Sequence, residues 1–238
     1  MFKKSTPSEL IKKEEDLRFK YTQPGEFANS NHPEVISFAH DVIKNLSNEH
    51  EITISLYNAV RDQFAYNPYH LDTSKEGLKA NHILKLGFGF CIPKATLLVA
   101  CLRAAGVPAR IGFADVKNHL TSKRLSNLLG TNLFAFHGYA DIYINGKWIK
   151  ATPAFNIELC NKAGIKPLDF DGHNSSLFHE YDIQGRMHME YVKQRGEFFD
   201  IPYEDLINCW KEHYPMLQNI GGITELNGNF NNEIIKIN

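Results

Sequence analysis

Cysteine is scarce in this chain: Cys91, Cys101, Cys160 and Cys209 are four in 238 residues, and no two form a CxxC pair. So few cysteines cannot staple a small secreted domain, and they read as four free thiols in a reducing compartment, the cytoplasm. No apolar run approaches the roughly 20 residues that span a bilayer. The lysines near the N-terminus are followed by no apolar stretch, so neither membrane insertion nor a secretory signal is expected. Charge of one sign is missing too. Lys and Arg total 26 against 27 Asp and Glu, a formal net charge of -1, whereas nucleic acid and anionic lipid attract a concentrated positive field. The sequence has no GxxxxGK loop, no GxGxxG and no DxDxDG calcium loop. The stretch holding Asp171, His173, His179, Glu180, His188 and Glu190 lacks the tight i, i+4 spacing of a zinc helix. No cofactor and no metal are therefore expected. What is present, 43% hydrophobic and 22% charged residues, is the composition of a globular chain with a real core.

The pattern of that core is α+β. Residues 1–31 read as a polar arm with one short helix, 32–160 as the core domain, and 161–238 as an elaboration packed on it. Val35, Phe38, Ala39, Val42, Ile43 and Leu46 recur at helical spacing after Pro33, and Asn48 with Glu51 resembles a capping box that opens a second helix. Residues 67–77 read as loop and 78–86 as a turn or two of helix. Gly87-Phe88-Gly89-Phe90 brings the backbone sharply into a helix that starts at Cys91, tolerates Pro93 in its first turn, and stops at Gly106 and Pro108. A strand over 109–113 follows, then a polar stretch from Asp115 to about Thr131 that reads as a surface excursion. Phe134–Ile144 and Lys147–Thr152 are two strands joined by Asn145-Gly146, a strong hairpin signal. Met187–Val192 reads as a strand and Tyr203 to about Leu217 as a helix with Leu206, Ile207, Trp210 and Tyr214 facing inward. The last twenty residues, rich in Asn and Gly, are expected to be partly mobile.

Within this frame Cys91 is the thiol with a chemical context. A helix N-terminus offers unsatisfied N–H groups and a dipole that favour thiolate, and the glycines before it leave room for a substrate carbonyl. Cys101, in the middle of the same helix, reads as core packing. A nucleophilic thiol needs a base. His137 sits in the aromatic strand beside Gly138, and alternation places it on one face with Tyr139 and Asp141. Asp115, Asn118 and His119 follow the strand after the cysteine helix and read as a solvated loop that could reach a cleft.

These residues resemble a known family. Gly-Phe-Cys91 opening a helix, the ending Leu102-Arg-Ala-Ala-Gly-Val-Pro-Ala-Arg110, the strand His137-Gly-Tyr-Ala-Asp-Ile-Tyr and Trp148 after a tight turn are similar to the transglutaminase-like superfamily over about residues 50–155. The resemblance implies a papain-like, transglutaminase-like core with a Cys-bearing helix packed on an antiparallel sheet, and a Cys–His–Asp triad. It places Cys91 as nucleophile and His137 as base. Where the family has Asp, this sequence has Thr152; Asn156, Asp141, Asp169 and Asp171 are the other residues that could orient His137. The implied chemistry is acyl transfer through a Cys91 thioester, with hydrolysis favoured because nothing marks an amine-acceptor site. The substrate would be a peptide, a protein or an amide-containing small molecule. Two other readings stand beside it: a binding module that has lost catalysis, favoured by the missing Asp, and transfer from a thioester donor as in arylamine acetyltransferases, disfavoured by the lack of their C-terminal domain pattern.

Overall fold

A computed structural model describes residues 6–119, 121–214, 221–226 and 230–233. In chain order the elements are α1 (Pro7–Thr22), α2 (Pro33–Val42), α3 (Glu49–Gln63), β1 (Ala65–Tyr66), β2 (His70–Asp72), α4 (Ala80–Leu86), β3 (Phe88–Gly89), α5 (Cys91–Ala104) and β4 (Ala109–Asn118). After these come α6 (Lys123–Leu129), β5 (Leu133–Ile144), β6 (Lys147–Ala151), α7 (Ile157–Ala163), β7 (Met189–Phe198), α8 (Tyr203–His213), β8 (Ile223–Glu225) and α9 (Phe230–Glu233).

The main sheet is antiparallel with strand order β6-β5-β4-β7. The β5–β6 turn follows from Asn145 and Gly146, which both take positive φ, 50° and 77°, as a two-residue hairpin of primed type requires. Against the sheet lies α5. Cys91 through Arg103 are all buried, the signature of a helix enclosed on every side. One side packs on β5 and the others on α2, α3 and α4. Two cations are buried with it. Lys94 Nζ donates to the carbonyls of Arg61 (2.8 Å) and Phe64 (2.5 Å) at the end of α3, and burial pushes its pKa down to about 7. Arg103 donates to Ala109 O at 2.9 Å, to Gln23 O at 3.1 Å and to Phe199 O. These bonds tie the cysteine helix to its neighbours where apolar packing alone would allow sliding.

Several local expectations hold. Asn48 caps α3, accepting from His50 N at 2.9 Å and Glu51 N at 3.3 Å, and Leu206, Ile207, Trp210 and Tyr214 are buried. Others differ. The N-terminal helix is 16 residues long. The loop over 67–77 contains β2, which pairs with β8. Residues 115–131 are not a surface excursion: β4 continues to Asn118, Asp115 and Asn118 are buried, and α6 turns Leu125 and Leu129 inward. Half of the last twenty residues are described and include β8 and α9; the rest, and residues 215–217 at the expected end of the α8 helix, lie outside the described residues.

Candidate active site

Cys91 begins α5 and His137 lies in β5, and the two side chains line one cavity. Gly138 makes the approach possible. Its N–H acts on the Cys91 sulfur, and a Cβ at this position would stand 3.0 Å from Ile92 Cα. A side chain there would wedge β5 away from the helix start, so the residue after His137 needs to be glycine for the two elements to touch.

The residue before His137 is held unusually. Phe136 has φ +58°, a conformation that costs a residue with a Cβ of order 1 kcal/mol or more, at an irregularity where the β4–β5 register shifts between Ala114 and Val116. Asp115, buried on β4, clamps it: Oδ1 accepts from Phe136 N at 3.0 Å. Arg195 on β7 grips the same carboxylate with Nε at 2.9 Å and Nη2 at 2.7 Å, and its guanidinium lies 5.0 Å over the Phe136 ring. The bent backbone sets the direction in which His137 leaves the strand. Asp115→Ala strands both the Phe136 amide and Arg195, and is expected to cost about 3 kcal/mol in urea unfolding, against about half that for Asp115→Asn, which keeps the acceptor.

Electrostatically the pair is neutral at rest. Burial pushes the Cys91 thiol up to about 11, against the pull of the N–H groups of Gly138, Ile92 and Cys91 itself. This departs from the helix-terminus expectation of a stabilised thiolate, because the N–H groups are present but desolvation outweighs them. Burial likewise pushes His137 down to about 4, helped by the nearby His179. The other cysteines are also buried; Cys101 is driven up by burial in the core of α5.

The candidates for orienting His137 fall in different places. Thr152 follows Ala151, the last residue of β6, which pairs with Ala140 on β5. Thr152 Oγ1 and His137 Nε2 are both buried with no hydrogen-bond partner among the described residues. Asp141, four residues along β5 from His137, is held by Arg110 at 2.7 and 2.8 Å. Asn156 Oδ1 accepts from Tyr66 N at 3.1 Å. Asp169 is exposed and pairs with Arg61 at 3.5 Å, and Asp171 caps its own turn through His173 N and Asn174 N, each 2.8 Å.

One feature escaped the sequence reading. The segment after α7 crosses beside β6, with Ser176 N donating to Lys150 O (2.7 Å) and Thr152 N donating to Ser176 O (2.9 Å). It delivers His179, which stacks on Phe155 at 5.5 Å and on His188 at 5.5 Å. Both histidines are buried, His179 Nε2 and His188 Nδ1 lack partners among the described residues, and burial lowers both, to about 4 and about 3. Among the described residues, no three His, Cys, Asp or Glu side chains are grouped as a metal site would need. His119 pairs with Glu190 at 3.1 Å, on the surface.

Residues 36–153 match the family model of the transglutaminase-like superfamily. That segment belongs to the superfamily. The matched segment runs from α2 through β6 and contains both Cys91 and His137. Two solved structures resemble this chain. A candidate cysteine protease of Cytophaga hutchinsonii is 14% identical with a TM-score of 0.47, covering 82% of this chain and 57% of that one. A candidate protease of Parabacteroides distasonis is 17% identical with a TM-score of 0.36, covering 57% of this chain and 25% of that one. This chain thus spans less than two thirds of either. No curated protein matches it significantly. Among the described residues no helix is long and apolar enough to cross a membrane.

Proposed function

We propose that this protein is a cysteine-dependent acyl-transfer enzyme that hydrolyses an amide or ester bond through a Cys91 thioester. The observation that carries the reading is the shared cavity: Cys91 and His137, from separate elements, line one void, with the Gly138 N–H on the sulfur. From a neutral resting pair, the thiol proton passes to His137 as the S–C bond forms, and His137 returns it to the leaving amine or alkoxide. The Cys91 N–H at the start of α5 is the donor proposed for the oxyanion. Thr152 is the residue proposed to orient His137: its hydroxyl and His137 Nε2 are both buried and without a partner among the described residues, and a small shift would be needed to join them. A hydroxyl supplies no charge to balance an imidazolium, so turnover should be modest beside that of a carboxylate-backed pair.

Turnover of a chromogenic ester tests this. Cys91→Ala should abolish it and Cys101→Ala should retain most of it. Thr152→Asp should raise kcat by about 10-fold or more if position 152 orients His137. Activity that survives Cys91→Ala sinks the proposal.

A further inference from the structure

The cavity has a composition of its own. Leu71 from β2, Phe90 before α5, Leu125 and Leu129 from α6, and Trp210 and Tyr214 at the end of α8 form its walls. The polar atoms of the large aromatics are already occupied. Trp210 Nε1 donates to Ala135 O at 3.0 Å; the Tyr214 hydroxyl donates to Leu133 O at 3.0 Å and accepts from Ala135 N at 2.6 Å. Both side chains are thereby fixed with carbon, not oxygen or nitrogen, toward the void. Besides Cys91 and His137, the lining polar group without such a bond among the described residues is the Tyr66 hydroxyl, which lies in electrostatic reach of the Cys91 sulfur. No charged side chain lines the cavity among the described residues.

We infer that the cavity binds the acyl part of the substrate and selects a bulky apolar acyl group, aromatic or aliphatic, over a small or polar one. The inference rests on the reading of Cys91 and His137 as the reacting pair. Carbon walls gain from each methylene removed from water, and a polar acyl group entering them loses its hydrogen bonds to water and finds at most the Tyr66 hydroxyl in their place. The walls also explain where selection resides: α8 lies beyond residues 36–153, so the part of the chain outside the family match shapes the pocket. In the reaction the Cys91 sulfur bonds to the acyl carbon, the bond to the leaving oxygen or nitrogen breaks, and the thiol proton reaches the leaving group through His137. Water then cleaves the thioester, restoring the thiol and releasing the apolar acid.

The test is a series of 4-nitrophenyl esters with acetyl, butyryl, pentanoyl, hexanoyl, phenylacetyl and succinamoyl groups, each rate corrected with Cys91→Ala. The expected result is a rise in kcat/KM of about 4-fold per methylene, so on the order of 100-fold from acetyl to hexanoyl. Succinamoyl, close in size to pentanoyl but ending in a carboxamide, should fall roughly 10-fold or more below it. Leu125→Asn should compress both ratios. A flat or inverted series, with turnover still dependent on Cys91, overturns the selectivity and leaves the cysteine reading standing. Absence of Cys91-dependent turnover for every ester overturns both.

Discussion

Alkylation of Cys91 by a small neutral electrophile is expected to run at a rate nearly independent of pH from about 5 to about 9, and to fall below about pH 4. The plateau follows from the two resting states. Burial holds the thiol near 11 and the imidazole near 4, so between those values the thiol is protonated and His137 is a free base. The proton leaves sulfur only as the new bond forms, and the rate tracks the fraction of neutral His137. In His137→Ala that route is closed and only pre-formed thiolate reacts. Its rate should climb tenfold per pH unit toward about 11, and at pH 7 it should lie about 10,000-fold under its own high-pH limit. The contrast between a plateau and a slope separates a general-base pair from a lone buried cysteine. Stopped-flow alkylation with mass mapping of the labelled peptide reads it directly, and identical profiles for wild type and His137→Ala would rule out the pairing.

Acid should unfold the protein unusually early. His137, His179 and His188 are all depressed by burial, to about 4, 4 and 3, against about 6.5 when unfolded. A depressed histidine binds its proton more readily in the unfolded chain. Its contribution to stability is therefore complete above about 6.5 and is lost as pH falls through the folded value. Each group contributes up to about 1.4 kcal/mol per pH unit, and three acting together approach about 4 kcal/mol per unit between pH 6 and 4. Set against a total stability of about 5–15 kcal/mol, that slope should bring the unfolding midpoint in urea down several-fold across this window. His188→Phe, which keeps the stack on Phe155 and His179, should remove about a third of the slope. An unchanged slope in His188→Phe would mean that the histidine stack does not control acid stability.

How far the sequence reached depended on the range of the signal. Local punctuation was legible: Phe-Gly-Phe before Cys91, Gly106 and Pro108 after it, Asn48 before α3, and Asn145-Gly146 between β5 and β6 each fix backbone geometry within a few residues. The stretch 115–131 was misjudged on polarity, although its signals were present. Ser122 caps α6 by accepting from Leu125 N at 3.0 Å, Leu125 and Leu129 are one turn apart, and Gly130 ends the helix at φ 70°. Asp115 could not be placed, because its partner Arg195 lies 80 residues away on a strand whose pairing with β4 no local pattern encodes. His179 and His188 belong to a histidine- and acid-rich stretch with no local signal for burial; their burial depends on Phe155 and on the crossing beside β6. The charge state of Cys91 was misjudged for a different reason. The helix terminus was read correctly, but the enclosure that outweighs it is built by α6 and α8 from far along the chain.

The most direct measurement of the central claim is an acid-quenched reaction with 4-nitrophenyl phenylacetate, followed by intact mass and peptide mapping. A phenylacetyl group should appear on the peptide containing Cys91 within the first turnover, decay with the steady-state rate, and be absent from Cys91→Ala. In His137→Ala at neutral pH it should form orders of magnitude more slowly. An acyl group mapped to Cys101, Cys160 or Cys209, or steady turnover with none on Cys91, would contradict the account.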